Sequence, residues 1–528
     1  MELNPALPMD LWGTCADQNL KVEKHILEGL TDEQKEIVLR PFPGRESSLV
    51  VQAYAGTGKT HTLQAFAQAR PKEKIHYLAF NKSMAMEAGH KFHGMRNVKV
   101  GTIHSLAYQE IGKKFRDRLG DVNPSILTPI IRYYMPRMPL YKATSLLKTW
   151  YNKFLGSKEP TTQKFFSRNV LSAHEKTLQE NDVSLDALTG AVEALWLNVV
   201  KGDGMCGPLP MSHDAYLKLY QLSGKQLGSK YILIDEAQDV TDCMIDIVQN
   251  QNAHKIFIGD SFQQIYAWNG AVDSLKKLEK SGSQVLYLTK SFRCPDKVAT
   301  IADKYLRLLG AKKTFRGNGT DGKDDGAYCI LARSNVALFR EAWNCVQDKH
   351  SIAFMGGFEG YDFEILIDLQ KALFGKFSDI RNDWLRNEFN SFDEILEYAE
   401  EDPHLMARCN LVRQYRGKIV DMYIRIKKAQ NISAANADAI LSTTHKAKGA
   451  EWGRVFLCDD FVNIVKINDE LKDTDTPKLV RREDLNLLYV AVTRSKSSLD
   501  CPPQYDVPDD EMLQFKENIK NGRVILIN

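Results

Sequence analysis

Two short stretches hold the residues best suited to chemistry. The first, residues 53–60, reads "AYAGTGKT" between a β-rich run and the helical "HTLQAFAQAR". Glycine-rich backbone N–H groups at the start of a helix face anionic oxygen, so this loop is built to cradle phosphate. Lys59 would reach the outer phosphates of a nucleotide, and Thr60 would hold Mg²⁺. The second stretch, residues 232–239, reads "ILIDEAQD". Asp235 would give the second metal contact and Glu236 the base for an attacking water. Gln238 and Asp239 exceed what hydrolysis alone needs. An empty glycine turn and a pair of surface acids are the plain alternatives. The Lys-Thr pair and the strand-like "YILI" before the acids argue against both. The strict loop pattern has glycine at its first position, where this chain has Ala53.

Nucleotide hydrolysis of this kind proceeds by positioning and charge stabilisation, so arginines are expected at the terminal phosphate. Arg293 in "LTKSFR" and Arg494 in "LNLLYVAVTRSK" are the candidates, both distant in sequence from Lys59. Either alone would read as an ordinary ion-pair residue. Supplied across a cleft, the two would make hydrolysis depend on domain closure.

The elements that must position these groups follow from the rest of the chain. Its 528 residues are enough for several domains. The start has neither a basic cluster nor an apolar segment of signal-peptide type, and no apolar stretch is long enough to span a bilayer. Nine cysteines without a CxxC pair argue against a zinc ribbon or disulfide framework, and a reduced intracellular setting is expected. Net charge is only +3, but its distribution is uneven. Residues 111–170 carry 12 Lys/Arg against 3 Asp/Glu, interleaved with aromatics including Phe115, Tyr133, Tyr134, Trp150, Tyr151 and Phe154. That pattern suits a strand-tracking surface as well as it suits a solvated helix face. Residues 378–402 carry nine acids against Arg381 and Arg386.

Short β-rich runs ("SLVVQAYA", "IHYLAF", "KYILIDEA", "HKIFIGD", "QVLYLTK", "YCILARS", "RVFLCDD") alternate with helical stretches, which reads as α/β with parallel sheets. The expected plan is two tandem P-loop-type cores, each with a helical insertion. The first core takes residues 1–108 and 213–284, with its insert at 109–212. The second takes 285–374 and 436–528, with a small insert at 375–435.

Ten blocks occur in a telling order: "LTDEQKEIV", "AYAGTGKT", "LAFNKSMA", "GTIHSLAY", "HDAYLKLYQLS", "ILIDEAQD", "IGDSFQQIYAWNGA", "LTKSFR", "STTHKAKGAEW" and "LLYVAVTR". Over about residues 30–495 the chain resembles a superfamily 1 helicase of the UvrD/Rep type, and within it the helicase region of the F-box DNA helicases. The resemblance implies two RecA-like cores and ATP with Mg²⁺ as cofactors. It puts Gln34 on the adenine edge, Phe292 on the adenine face and Glu451 on the ribose. Ala55, Gly56, Thr57, Gly58, Lys59, Thr60 and His61 would line the phosphates. Gln263 would sense the terminal phosphate, and Gln238 with Asp239 would couple the metal site to neighbouring segments. Phe80, Asn81, Thr102, His104, Tyr266 and Trp268 would contact DNA, mirrored in the second core by Thr443, His445 and Lys448. "HDAYLKLYQLS" reads as packing.

The implied substrates are single-stranded DNA and duplex junctions, traversed 3′→5′, in DNA repair or recombination control. Protein stripping, with recombinase filaments as targets, and RNA unwinding are the alternatives. The setting would be the nucleus of a eukaryote, otherwise the cytoplasm, with no membrane. Four features depart from the pattern. Asn269 stands where relatives usually carry Arg, and Ala450 replaces the usual Leu before Glu451. The residues before "LTDEQ" are too few for an F-box, so no ubiquitin-ligase assembly is implied. The polar "SKSSLD" follows Arg494 where an apolar strand is usual; either "RVILIN" takes that strand's place or the C-terminus diverges.

Overall fold

The structure, a computed structural model, describes residues 22–42, 44, 46–170, 178, 182–202, 204–266, 273–319, 328–400, 402–430, 433–474 and 476–527. They divide into two compact units. One is Met1–Ala53 with Gly58–Leu288, and the other is Tyr54–Thr57 with Thr289–Asn528.

The first unit is built on six parallel strands: β1 (Ser47–Ala53), β2 (Ile75–Ala79), β3 (Val98–Thr102), β4 (Tyr231–Ile234), β5 (His254–Gly259) and β6 (Gln284–Leu288), in the order β3-β2-β4-β5-β1-β6. β2, β4 and β5 are buried along their whole length, as strands covered by helices on both faces must be. The half-exposed edge β3, "VKVGT", gave no strand signal in the sequence. A short strand needs less apolar content at an edge. Functional side chains cluster where the strands end. Asp235 follows β4, Asp260 follows β5, and helix Lys59–Gln68 begins after β1. The carboxyl ends of parallel strands are the usual binding edge of such sheets.

The helical insert includes two long helices, Leu140–Gly156 and Leu185–Lys201. Its aromatics correct the sequence reading. Trp150, Tyr151 and Phe154 are 5%, 5% and 0% exposed, and they pack in one core with Val50, Leu78 and Ile232 of the sheet. Trp150 stacks on Phe166 at 5.3 Å, so these rings are core and not stacking platforms. Tyr133 alone of the group stands well out, 67% exposed. Arg118 is likewise committed inward, donating to the carbonyls of Leu209 and Val200.

The second unit carries β7 (Tyr328–Ala332), β8 (Ile352–Phe354), β9 (Ala439–Thr443), β10 (Trp452–Leu457) and β12 (Ser495–Asp500), parallel in the order β12-β10-β7-β9-β8. The polar "SKSSLD" is therefore itself the strand after Arg494. At the sheet edge, pairing only with β10, it needs no apolar alternation. "RVILI" does not replace it. β13 (Val524–Ile527) pairs in parallel with β11 (Lys478–Arg481) in a separate two-stranded sheet. Helices from the second insert share a core with β7, β8 and β9 through Leu385, Ile395, Leu405, Ile419 and Met422. Among the described residues no helix is long and apolar enough to cross a membrane.

Trp150→Ala should destabilise the protein by about 3–5 kcal/mol in chemical denaturation, as buried Trp truncations do. Tyr133→Ala should stay within about 0.5 kcal/mol of the parent.

Candidate nucleotide and nucleic-acid site

In the first unit, Gly58 takes the left-handed conformation (φ 78°) that starts helix Lys59–Gln68. Glycine is the residue that adopts this without strain. Lys59 at the helix start forms an ion pair with Glu236, Nζ to Oε1 2.6 Å. The Thr60 hydroxyl lies 3.3 Å from Asp235 Oδ2, and the Tyr77 hydroxyl donates to the same oxygen at 2.5 Å. Asp235 Oδ1 accepts from the Glu236 backbone N–H at 2.9 Å. Glu236 itself has φ 52°, ψ 44°, a left-handed conformation that costs a non-glycine residue about 1–3 kcal/mol and collects at functional sites.

Burial sets the electrostatics. It pushes the Asp235 carboxyl above its ordinary value, with the neighbouring Glu236 charge adding to the effect. Burial would lower Lys59, but Glu236 and then Asp235 outweigh it and hold the ammonium above its ordinary value. Burial raises the Tyr77 phenol as well, so it donates as a neutral hydroxyl.

From this cluster a hydrogen-bonded relay runs along the strand ends. Gln238 Nε2 donates to Glu236 Oε2 at 2.5 Å, and its Oε1 accepts from the Asp260 backbone N–H at 3.0 Å. Asp260 then accepts from Gln52 Nε2 at 3.1 Å and from Gln263 Nε2 at 2.8 Å. A Cβ at Gly259 would lie 2.3 Å from Gln238 Oε1, so glycine there makes room for the relay.

Around the same edge, the rings of Phe80 and Tyr266 lie nearly parallel, 13° apart with centroids at 6.4 Å. Burial, then Asp239 and Glu236, push the Tyr266 phenol up to about 12. Asn81 and Thr102 turn out to be helix caps. Their side chains accept from Met84 N at 2.9 Å and Ser105 N at 3.0 Å. His104 Nε2 pairs with Asp214 at 3.0 Å. Gln34, almost fully buried, completes a capping box with Thr31. Trp268 and Asn269 lie outside the described residues.

In the second unit, Arg293 Nε is 2.6 Å from Glu451 Oε2. Phe292 beside it is half exposed. Arg494 is 1% exposed, with its guanidinium donating to the carbonyls of Val490 and Ala450. In the loop that this unit takes in, Ser291 Oγ donates to Ala55 O at 2.9 Å, and the Ala55 N–H donates to the Tyr489 hydroxyl at 3.1 Å. Thr443 ends β9 and is buried. Burial, with Arg333 adding, pushes His445 down to about 4, so it is a neutral imidazole at pH 7. Lys448 follows helix Thr444–Ala447.

Residues 34–269 match a family model described as an AAA domain, and residues 379–500 match one described as the UvrD-like helicase C-terminal domain. The chain is 29% identical over 503 residues to F-box DNA helicase 1 of Gallus gallus, covering 89% of this chain and 48% of that one. It is 30% identical over 518 residues to F-box DNA helicase protein 1 of Schizosaccharomyces pombe, covering 89% and 57%. With DNA helicase II of Escherichia coli it shares 23% over 346 residues, covering 60% and 46%. Residues 379–500 are thus a UvrD-like helicase C-terminal domain, and the chain as a whole is similar to UvrD-like helicases. It spans about half the length of these relatives.

Within this UvrD-like chain, Lys59, Thr60, Asp235, Glu236 and Gln263 come together in the first unit, and Arg293 with Glu451 in the second. Thr60 and Asp235 present two hard oxygen donors side by side. That donor set suits Mg²⁺, which takes one or two protein oxygens and completes its shell from phosphates and water. Tyr77, Gln52 and Asp260 are parts of the site that sequence reasoning missed. Asp260 had a signal, as the acid in the quoted "IGDSFQQ". Tyr77 had none, being one residue in a uniformly buried strand.

Because burial disfavours the Asp235 carboxylate, Asp235→Asn should raise the denaturation midpoint while abolishing Mg²⁺-dependent nucleotide hydrolysis. A carboxyl raised in the fold takes up its proton before the unfolded chain does as pH falls, which relieves the parent. The advantage of the variant should therefore shrink in acid. A lowered midpoint at neutral pH would show that Lys59 fully compensates the charge.

Proposed function

We propose that this chain is an ATP-dependent translocase on single-stranded DNA that unwinds duplex DNA 3′→5′. The observation that carries the reading is the unbroken relay from Lys59–Glu236 through Gln238 and Asp260 to Gln263. A hydrolase working alone has no use for it; a motor needs its metal site linked to a grip on its track. The relay's outer end lies three residues before Tyr266, whose ring faces Phe80 across a spacing near that of a sandwiched base. Mg²⁺ held by Thr60 and Asp235 would neutralise charge on the phosphates. A polyphosphate in the loop would draw Lys59 from Glu236, leaving that carboxylate to orient and deprotonate water. Arg293 and Arg494 would supply charge at the terminal phosphate, with Phe292 and Gln34 holding the base and Glu451 the ribose. On this reading Thr443, His445 and Lys448 contact the strand from the second core, His445 as a neutral hydrogen-bonding group. The caps made by Asn81 and Thr102 leave their helix N-termini facing the same edge, where backbone phosphates are welcome.

One observation favours a variant of this reading. The second insert carries nine acids against two arginines over residues 378–402, a poor surface for gripping duplex phosphates. Translocation that strips proteins, recombinase filaments included, would then outweigh strand separation.

Single-stranded DNA should stimulate ATP hydrolysis strongly, and RNA oligonucleotides of the same sequence should not. Glu236→Gln should retain ATP and DNA binding but turn over about 100-fold more slowly, the effect of losing a positioned general base. Near-parental turnover in that variant would remove Glu236 from the mechanism. Strand displacement on 3′- and 5′-tailed duplexes fixes polarity, and unwinding per ATP separates a helicase from a protein-stripping translocase.

A further inference from the structure

Helix His213–Ser223, "HDAYLKLYQLS", has no part in the chemistry above, yet its polar side chains reach three other elements of the first unit. Asp214 holds His104. Gln221 Nε2 donates to Lys158 O and to Asp246 Oδ2, both at 2.8 Å. Between them, Lys218 is 0% exposed, and its Nζ donates to Ser157 O at 2.7 Å and Glu159 O at 2.6 Å. The ammonium also lies 5.0 Å from the Phe154 ring centroid. One helix thus takes up three consecutive carbonyls of the turn joining helices Leu140–Gly156 and Thr162–Asn169.

A buried ammonium is among the least favourable groups to place in a core, and among the described residues this one has no ion pair. Methionine would fill the space with no desolvation penalty. What methionine cannot supply is two directed donors on a turn whose backbone carbonyls point inward. The turn carries the exposed Lys153, Lys158 and Lys164 on either side of it. The pinning helix in turn leads to β4, the strand that Asp235 follows.

We propose that Lys218 is a positioning residue: it pins the Ser157–Glu159 turn to the α/β core, so that the basic helices of the insert keep a fixed register for holding nucleic acid. The consequence for DNA rests on the translocase reading above; the pin itself does not.

The test uses the full chain with Lys218→Met and Lys218→Arg. Amide hydrogen exchange reads the pin, and the single-stranded DNA concentration giving half-maximal ATPase reads its consequence. Lys218→Met should lose protection at the turn and the adjoining helix ends, with β4 and β5 unchanged. Its half-saturating DNA concentration should rise about tenfold, a change of ~1.4 kcal/mol, while the maximal rate and the KM for ATP hold. Lys218→Arg, which keeps the charge and the donors, should recover most of both. Parental exchange at the turn in Lys218→Met overturns the proposal. So does a loss of protection, maximal rate and KM together throughout the unit, which would make Lys218 merely structural. If the parent's ATPase ignores DNA, the translocase reading fails, and the exchange measurement still judges the pin.

Should Lys218→Met not fold, the parent's own pH profile decides. Burial pushes the Lys218 ammonium down to about 8 from 10.5. It is faced by Glu159 from the turn, and by Asp246 and Cys243 from helix Asp242–Gln249; burial pushes that thiol up to about 12. The pinned state binds fewer protons than the released one, so it gains as pH rises between about 8 and 10.5. Turn protection normalised to β4 should increase across that window in the parent and stay flat in Lys218→Arg. A flat parental profile overturns the proposal.

Discussion

Two carboxylates and one ammonium share a buried corner at the ends of β1 and β4, and much of the first unit is arranged to make that tolerable. Asp235 and Glu236 are adjacent acids, and burial together with the Glu236 charge disfavours the Asp235 carboxylate. Lys59 at 2.6 Å compensates. Removing the lysine would leave both carboxylates uncompensated in low dielectric, which is costlier than never having buried them. The surrounding choices follow. Tyr77 supplies a hydroxyl from a strand that is buried along its whole length. Glu236 accepts a strained backbone so that its side chain meets Lys59. Gly259 gives up a side chain so that Gln238 can reach both Glu236 and the Asp260 backbone. Strain and buried charge at one point are the mark of a site maintained for chemistry, since neither helps the fold.

Several polar residues at the strand ends do two jobs, which bears on how resemblance should be read. Asn81, Thr102 and Gln34 all sit in motif blocks that imply ligand contacts, yet each satisfies backbone N–H groups at a helix start. Capping alone accounts for those residue types and is worth about 1 kcal/mol apiece. The two roles are compatible, because a capped helix N-terminus still presents other N–H groups and a favourable dipole to an anion. Residue type at such positions is therefore weak testimony about ligands, whereas the Glu236 conformation and the Gln238 relay have no folding rationale of their own.

Legibility followed burial and local signal. The apolar runs of β1, β2, β4, β5 and β7 were readable, because a strand covered on both faces must be almost uniformly apolar, and the partly exposed β6 and β10 kept enough apolar residues to read as strands. β12 was misread, since an edge strand can be as polar as "SKSSLD", and "RVILI" looked like a core strand while joining only β11. The aromatics of residues 111–170 were misread for a related reason. Composition reveals that Trp150, Tyr151 and Phe154 are present, but only the fold shows that they face the sheet core. At the site, the groups that lie within a motif were legible. Those contributed by a neighbouring strand, Tyr77 and Gln52, were not, because no spacing within their own segments encodes a partner more than 150 residues away.

The two arginines of the second unit are held in physically different ways, and the difference matters for what each can do. Arg494 is tied to the carbonyls of Val490 and Ala450, which orient its guanidinium. A guanidinium held in place in this way needs little reorganisation when negative charge develops nearby. Arg293 instead faces a carboxylate, and any anion that recruits it must compete with Glu451. A ligand that supplies only phosphate has to break that pair unaided. One that also offers hydroxyls to Glu451 gives the carboxylate new partners as it gives Arg293 a new anion, so both halves of the pair are compensated together. A nucleoside triphosphate carries both kinds of group and inorganic phosphate carries one, so on the function proposed above the Arg293–Glu451 pair would favour the triphosphate.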